Sequence, residues 1–162
     1  MPIPCYLSLE GQTQGTIEGS SKVQGHEGKI LVQAVEHLVD IPSNPQNGLP
    51  SGKCVLGPMT LSKEVDKSSP KLFQALSQGE QMSSVTLEYM RISPKGTEEK
   101  YYTVKLRNAI ITRLRTWVPL CLSQENQHLG HMEDLSMTYE AITWTFEPDG
   151  IEAEASCVAP RS

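Results

Sequence analysis

Two stretches bring together residue types that could do chemistry. Residues 48 to 54, GLPSGKC, set Lys53 behind a pair of glycines, as in a loop whose backbone N–H groups cradle a phosphate while a lysine neutralises it. The spacing argues against that use. Three residues separate the glycines where four are needed, and Cys54 stands where Ser or Thr would reach a metal ion. A proline interrupts the loop, and no helical pattern follows. In HLGHMED, residues 128 to 134, His128, His131, Glu133 and Asp134 are metal ligands by type, but zinc needs three or four donors converging in a defined geometry. Two histidines in a polar loop are ordinarily solvated. A pocket near His128 and His131 is therefore only the alternative reading, that of a small soluble β-barrel enzyme or ligand-binding protein. His26 beside Glu27 is a weaker pair still, and His37 reads as an interface or satisfied core residue.

No nucleophile elbow, H-E-x-x-H helix or Cys-His pairing occurs in recognisable context. Cys5, Cys54, Cys121 and Cys157 are widely scattered, which fits neither a zinc site nor a dense disulfide framework, so they read as free thiols. Arg113 and Arg115 suit a solvated face, with an acidic partner or a neighbouring subunit as the sharper option. No catalytic residue, cofactor or metal is expected.

The 162 residues suffice for one domain with a sizeable core, and no linker divides them. A net charge of -5 disfavours a phosphate-neutralising surface, so nucleic acid is not an expected partner. MPIPCYLSLEG has neither a basic n-region nor a long apolar run, so neither a signal peptide nor stable membrane insertion is expected, and the chain should fold in the cytoplasm.

The clearest local element is a helix over about residues 70–78. Ser69 can cap it, Pro70 suits its first position, and Gly79 supplies its stop. Leu72, Phe73 and Leu76 define one apolar face and are the expected packing residues, while Lys71, Gln74, Ser77 and Gln78 face water. So short a helix is marginal alone and must pack on something.

Almost everything else reads as strand. Residues 3 to 10 alternate through Ile3, Cys5, Leu7 and Leu9, and a weaker strand follows at 16 to 23. Residues 29 to 41 fit a helical face or a β-branched strand equally. Met59, Leu61 and Val65 alternate before the helix, and Val85, Leu87 and Tyr89 after it. SPKGT at 93 to 97 is a hairpin turn, followed by strands over 98 to 108 and 109 to 118. From Leu135 to Phe146 the alternation changes phase near Glu140 and Ala141, which implies a bulge or a strand moving between sheets. Residues 151–162 read as a peripheral tail. The fold class is mainly β: a β-barrel of two packed antiparallel sheets, one short flanking helix and a long extended loop over 40–58, in a single domain 1–162.

That loop, DIPSNPQNGLPSGKCVLGP, has four prolines and three glycines, which exclude a regular interior element. Structureless loops of such length are commonly functional. Prolines limit how far it relaxes and remove N–H donors, so docking costs less ordering entropy and indiscriminate strand pairing is discouraged. Pro42, Pro45, Leu49, Pro50, Val55 and Leu56 are the expected subunit or ring-stacking contacts, as an arm that reaches another copy.

Five stretches in order carry a resemblance to a known family: YLSLEGQTQG at 6 to 15, EGKILVQAVEH at 27 to 37, the proline-rich loop, LSKEVDKSSPKLFQALSQGE at 61 to 80, and HMEDLSMTYEAITWTFEPDG at 131 to 150. Together they resemble the haemolysin-coregulated protein family, Hcp, of the bacterial type VI secretion system. The resemblance implies a β-barrel whose copies close into a homohexameric ring, with rings stacking into the inner tube of a contractile injection machine. It also implies that residues 29 to 41 form a strand. Expected partners are a spike protein, a contractile sheath, a baseplate and small effector proteins carried in the lumen, with export through the machine and no signal peptide. The C-terminal IEAEASCVAPRS departs from the family pattern in lacking a tryptophan, and no fused toxin is expected.

Overall fold

The computed structural model describes residues 3–156. Alternating apolar residues create nearly every strand. In chain order these are β1 (Cys5–Gly11), β2 (Gly15–Ile17), β3 (Ile30–Glu36), β4 (Val39–Asp40), β5 (Val55–Leu56), β6 (Met59–Glu64), β7 (Gln81–Ile92), β8 (Glu98–Trp117), β9 (Met132–Thr138), β10 (Ala141–Phe146) and β11 (Ile151–Ser156), with helix α1 (Ser69–Gln78) between β6 and β7. Ile30–Glu36 form β3 with Ile30 and Val32 buried, but the single strand that the family resemblance implies over 29 to 41 is broken at His37 and Leu38, and Val39–Asp40 pair in a separate small sheet.

Six strands close a barrel in the order β8-β7-β1-β3-β6-β9, shut by the pairing of β9 back onto β8. Every neighbouring pair is antiparallel. The barrel therefore has two distinct ends. The exits of β1, β6 and β8 share one end with α1, and the exits of β3, β7 and β9 share the other. The core holds Leu7, Leu9, Ile30, Leu61, Met82, Leu135 and Met137, each at most 2% exposed. Fully burying one such side chain contributes about 1.5–3 kcal/mol.

The long strand β8 serves two sets of neighbours. Its first half pairs with β7 and β10, and its second half with β9. The change falls at Asn108, whose φ of 52° is left-handed and whose Nδ2 donates to Glu140 Oε2 at 2.6 Å. Asparagine tolerates that conformation better than most residues. The phase change near Glu140 has the same origin. Tyr139 and Glu140 fall outside the ladders, β9 before them belongs to the barrel, and β10 after them crosses to the first half of β8.

Several local expectations need correction. The helix begins at Ser69 with Ser68 as its N-cap. Ser69 Oγ instead accepts the Asp66 N–H at 3.1 Å, and Asp66 Oδ1 accepts the Ser68 N–H at 3.0 Å. Leu72 and Ala75 are buried, and Leu76 is half-buried against the core, but Phe73 is 41% exposed. One residue step is 100° of helix rotation, so Phe73 turns outward beside Leu72. The expected strand at 16 to 23 shortens to three residues, and 98 to 117 is one continuous strand. Residues 151–156 form edge strand β11, paired along its whole length with β10, where a peripheral tail was expected; 157–162 lie outside the described residues.

Candidate assembly surface

The loop over 40–58 is an arm with its own backbone ladder. Val39 pairs with Leu56 and Asp40 with Val55, and an isolated bridge joins Ser43 to Pro50. At its tip the Asn44 N–H donates to Leu49 O and the Gly48 N–H to Asn44 O, both at 2.8 Å, while the Ser51 N–H reaches Pro42 O at 2.6 Å. Asn44 and Asn47 each turn the chain by accepting a backbone N–H two residues ahead, from Gln46 and Leu49, at 2.9 Å. GLPSGKC thus lies in a hairpin and leads into strand β5, with no helix N-terminus to hold a phosphate.

Ordered as it is, the arm buries almost nothing. Pro42, Pro45 and Pro50 are exposed, Leu49 is 61% and Val55 49% exposed, and only Leu56 is half-buried against the core. Leu38 and Ile41, near the root of the arm, are exposed as well. The sequence expectation placed these arm residues in contacts between copies, and the fold leaves them on one projecting element.

Its root is held by a residue that sequence reading missed. Tyr139, 6% exposed, donates from its hydroxyl to Gly57 O at 2.8 Å, and His37 Nε2 lies 2.6 Å from the Tyr139 hydroxyl oxygen. The Gly57 N–H returns to Leu38 O at 2.9 Å, and a β-carbon at Gly57 would sit 2.3 Å from that carbonyl. Only glycine fits so close an approach. Burial holds the His37 pKa below its ordinary 6.5, partly offset by the Gly57 backbone, so the ring is predominantly neutral at pH 7. Tyr139 is 82 residues from Gly57 in sequence, and no local signal marks the contact.

At the opposite end, residues 118–131 join β8 to β9 and carry Val118, Leu120 and Leu122, the last 92% exposed. His128 and His131 lie here, both exposed. Their acidic neighbours point elsewhere. Glu133 is fully buried in the barrel, 3.5 Å from Lys63 Nζ, and Asp134 faces outward to Arg115 Nη2 at 2.8 Å. Burial pushes the Asp134 carboxyl up, but hydrogen bonds from Arg115 and Ser62 outweigh it and hold the pKa below the usual range. Among the described residues no cluster of three or more His, Cys, Asp or Glu side chains is placed to hold a metal. Arg113 is exposed, with its guanidinium outside any ion pair among the described residues.

Comparison with known proteins places this geometry. Residues 6–146 match the family described as "Type VI secretion system effector, Hcp". The chain is 39% identical over 159 residues to the "Major exported protein" of Pseudomonas aeruginosa, covering 93% of this chain and 92% of that protein. Its fold is similar to a crystal structure of an Hcp protein at a TM-score of 0.88 and 30% identity, with 94% and 96% of the two chains covered. A secreted protein from Pseudomonas aeruginosa, Hcp3, aligns at a TM-score of 0.77 and 32% identity, covering 94% and 99%.

Proposed function

The chain belongs to the Hcp family of the type VI secretion system, and on that premise we propose that its projecting arm joins copies of the tube end to end. Family membership makes the protein an exported structural subunit of the secretion tube and not an enzyme. In the proposed assembly, six copies close a ring, and successive rings stack in one direction. Because the arm and the 118–131 loop occupy opposite ends of the barrel, a head-to-tail contact sets unlike surfaces together, and such a contact repeats without closing. The spike protein, the contractile sheath and the baseplate complete the machine, and small effectors travel in the lumen. Export proceeds through the machine, without a signal peptide.

One observation carries the reading: the arm is ordered by its own ladder and by Tyr139, yet keeps Leu49, Val55 and its prolines exposed. Several large apolar side chains exposed on one ordered element mark an interaction site. The proposed contacts are Pro42, Pro45, Leu49, Pro50, Val55 and Leu56. Native mass spectrometry is expected to find a ring of six. Replacing residues 44 to 52 by two glycines should leave barrel and ring intact while tubes and secretion are lost. Wild-type tube formation and secretion by the shortened protein would refute the arm's role.

A further inference from the structure

Glu80 is a buried carboxylate that no positive charge among the described residues answers. Its residue is 7% exposed, and neither carboxylate oxygen has a hydrogen-bond partner. It follows Gly79 at the end of α1, where its backbone N–H donates to Ala75 O at 2.8 Å. The C-terminal carbonyls of a helix carry partial negative charge, so a second negative charge here is set against the helix dipole. Residue 11 is glycine, and a β-carbon on it would fall 2.0 Å from Glu80 Oε2, so the chain leaves open the volume that the carboxylate occupies.

Glu80 lines a polar recess with Gln12, Thr13, Gln78 and Gln81. The Gln12 amide beside it is turned to another partner. Gln12 Nε2 donates to Gln81 Oε1 at 3.1 Å, leaving the carboxylate unanswered. A carboxylate removed from water without a partner is costly, and a cationic donor answers both its charge and its open hydrogen-bonding positions. With a single carboxylate and no cluster of metal-ligand side chains among the described residues, the recess suits a monovalent organic cation better than a divalent metal.

The topology points to the donor. The recess lies at the α1 end of the barrel, beside the exit of β1 and the entry of β7, while the arm leaves from the other end. In a head-to-tail stack, the arm end of one copy faces the α1 end of the next, which carries the recess. Lys53 is exposed on that arm and forms no ion pair among the described residues, and its flexible four-carbon stem can enter a narrow polar recess. We propose that the Glu80 recess binds the Lys53 ammonium of a copy in the adjoining ring. This rests on the stacked-ring reading and gives it a specific electrostatic contact.

The test compares wild type, Glu80→Gln, Lys53→Gln and the double variant. Ring integrity is followed by native mass spectrometry and ring-to-ring association by sedimentation. Each single variant should keep the ring but weaken association by about tenfold, and the double variant should be no weaker than either. Glu80→Gln should melt no lower than wild type, because it removes an unanswered buried charge. Lys95→Gln is the control: Lys95 is an exposed cation on the 93–97 turn at the arm's end of the barrel, and its replacement should change nothing. Additive losses, unaltered association in Glu80→Gln, or an equal loss in Lys95→Gln would overturn the assignment while leaving stacking intact. Wild-type rings that never associate would overturn the stacked-ring reading and this contact with it.

Discussion

The two ends of the barrel are closed by opposite means. At the α1 end the chain turns inward: Leu72 and Ala75 join the core, and Lys63, fully buried, lies 3.2 Å from Asp66, 3.5 Å from Glu133 and 3.0 Å from the Glu64 carbonyl. At the arm end the chain turns outward. There a backbone hairpin and one tyrosine hydroxyl hold a segment whose apolar side chains remain in water. At the first end, burial makes α1 and its surroundings a matter of stability, although the exposed 118–131 loop shares that end. The second, with almost no apolar burial to stabilise it, is a matter of assembly, and loss of order there should leave the barrel standing.

The strongest way to break this comparison is through Lys63. Lys63→Met strands Glu133 as a buried charge and should cost about 3–5 kcal/mol in urea unfolding, whereas pairing it with Glu133→Leu should recover much of the loss. If the double variant is no more stable than the single, the pair is not coupled as described. Next, Leu72→Ala should cost about 2–5 kcal/mol and Phe73→Ala no more than about 0.5 kcal/mol, since one side chain is in the core and its neighbour at the surface. Similar thermal shifts for both would mean that the face of α1 is misassigned.

The arm end should respond differently. Tyr139→Phe removes the hydroxyl from Gly57 and should cost about 1–2 kcal/mol, expressed locally. Hydrogen exchange should quicken at Gly57 and Leu56 while barrel amides such as Leu61 keep their protection. Uniform acceleration would deny the arm its independence. The smallest effect is on pH. His37 has a lowered native pKa, so the unfolded chain binds the extra proton first as pH falls below about 6.5, and its stabilising contribution fades towards the native value. His37→Gln should flatten the dependence of the urea midpoint across that window. A midpoint whose fall from pH 7 to 6 is identical in wild type and variant would exclude His37 as its source.

Local pattern settled much of this fold. Alternation in 3 to 10, 59 to 65 and 135 to 146 marked half-buried strands, proline and glycine bounded the helix, and the prolines of 40–58 set the arm apart from the sheet, because each acts within a few residues of itself. Polarity alone misdirected the reading of residues 151–156. Glu152 and Glu154 suggested a tail, but an edge strand needs only one neighbour, and β10 supplies the ladder. Lys63 shows the same limit: it shares the barrel face of β6 with Met59 and Leu61, a place that a lysine tolerates only with Glu133 opposite, seventy positions on. The sequence by itself determined most of the strands, the helix, the arm and the family. Which end of the barrel each loop occupies, the hold of Tyr139 on Gly57 and the unanswered charge of Glu80 were decided only by tertiary structure. Each depends on strand register and barrel closure, which join residues that no local periodicity connects.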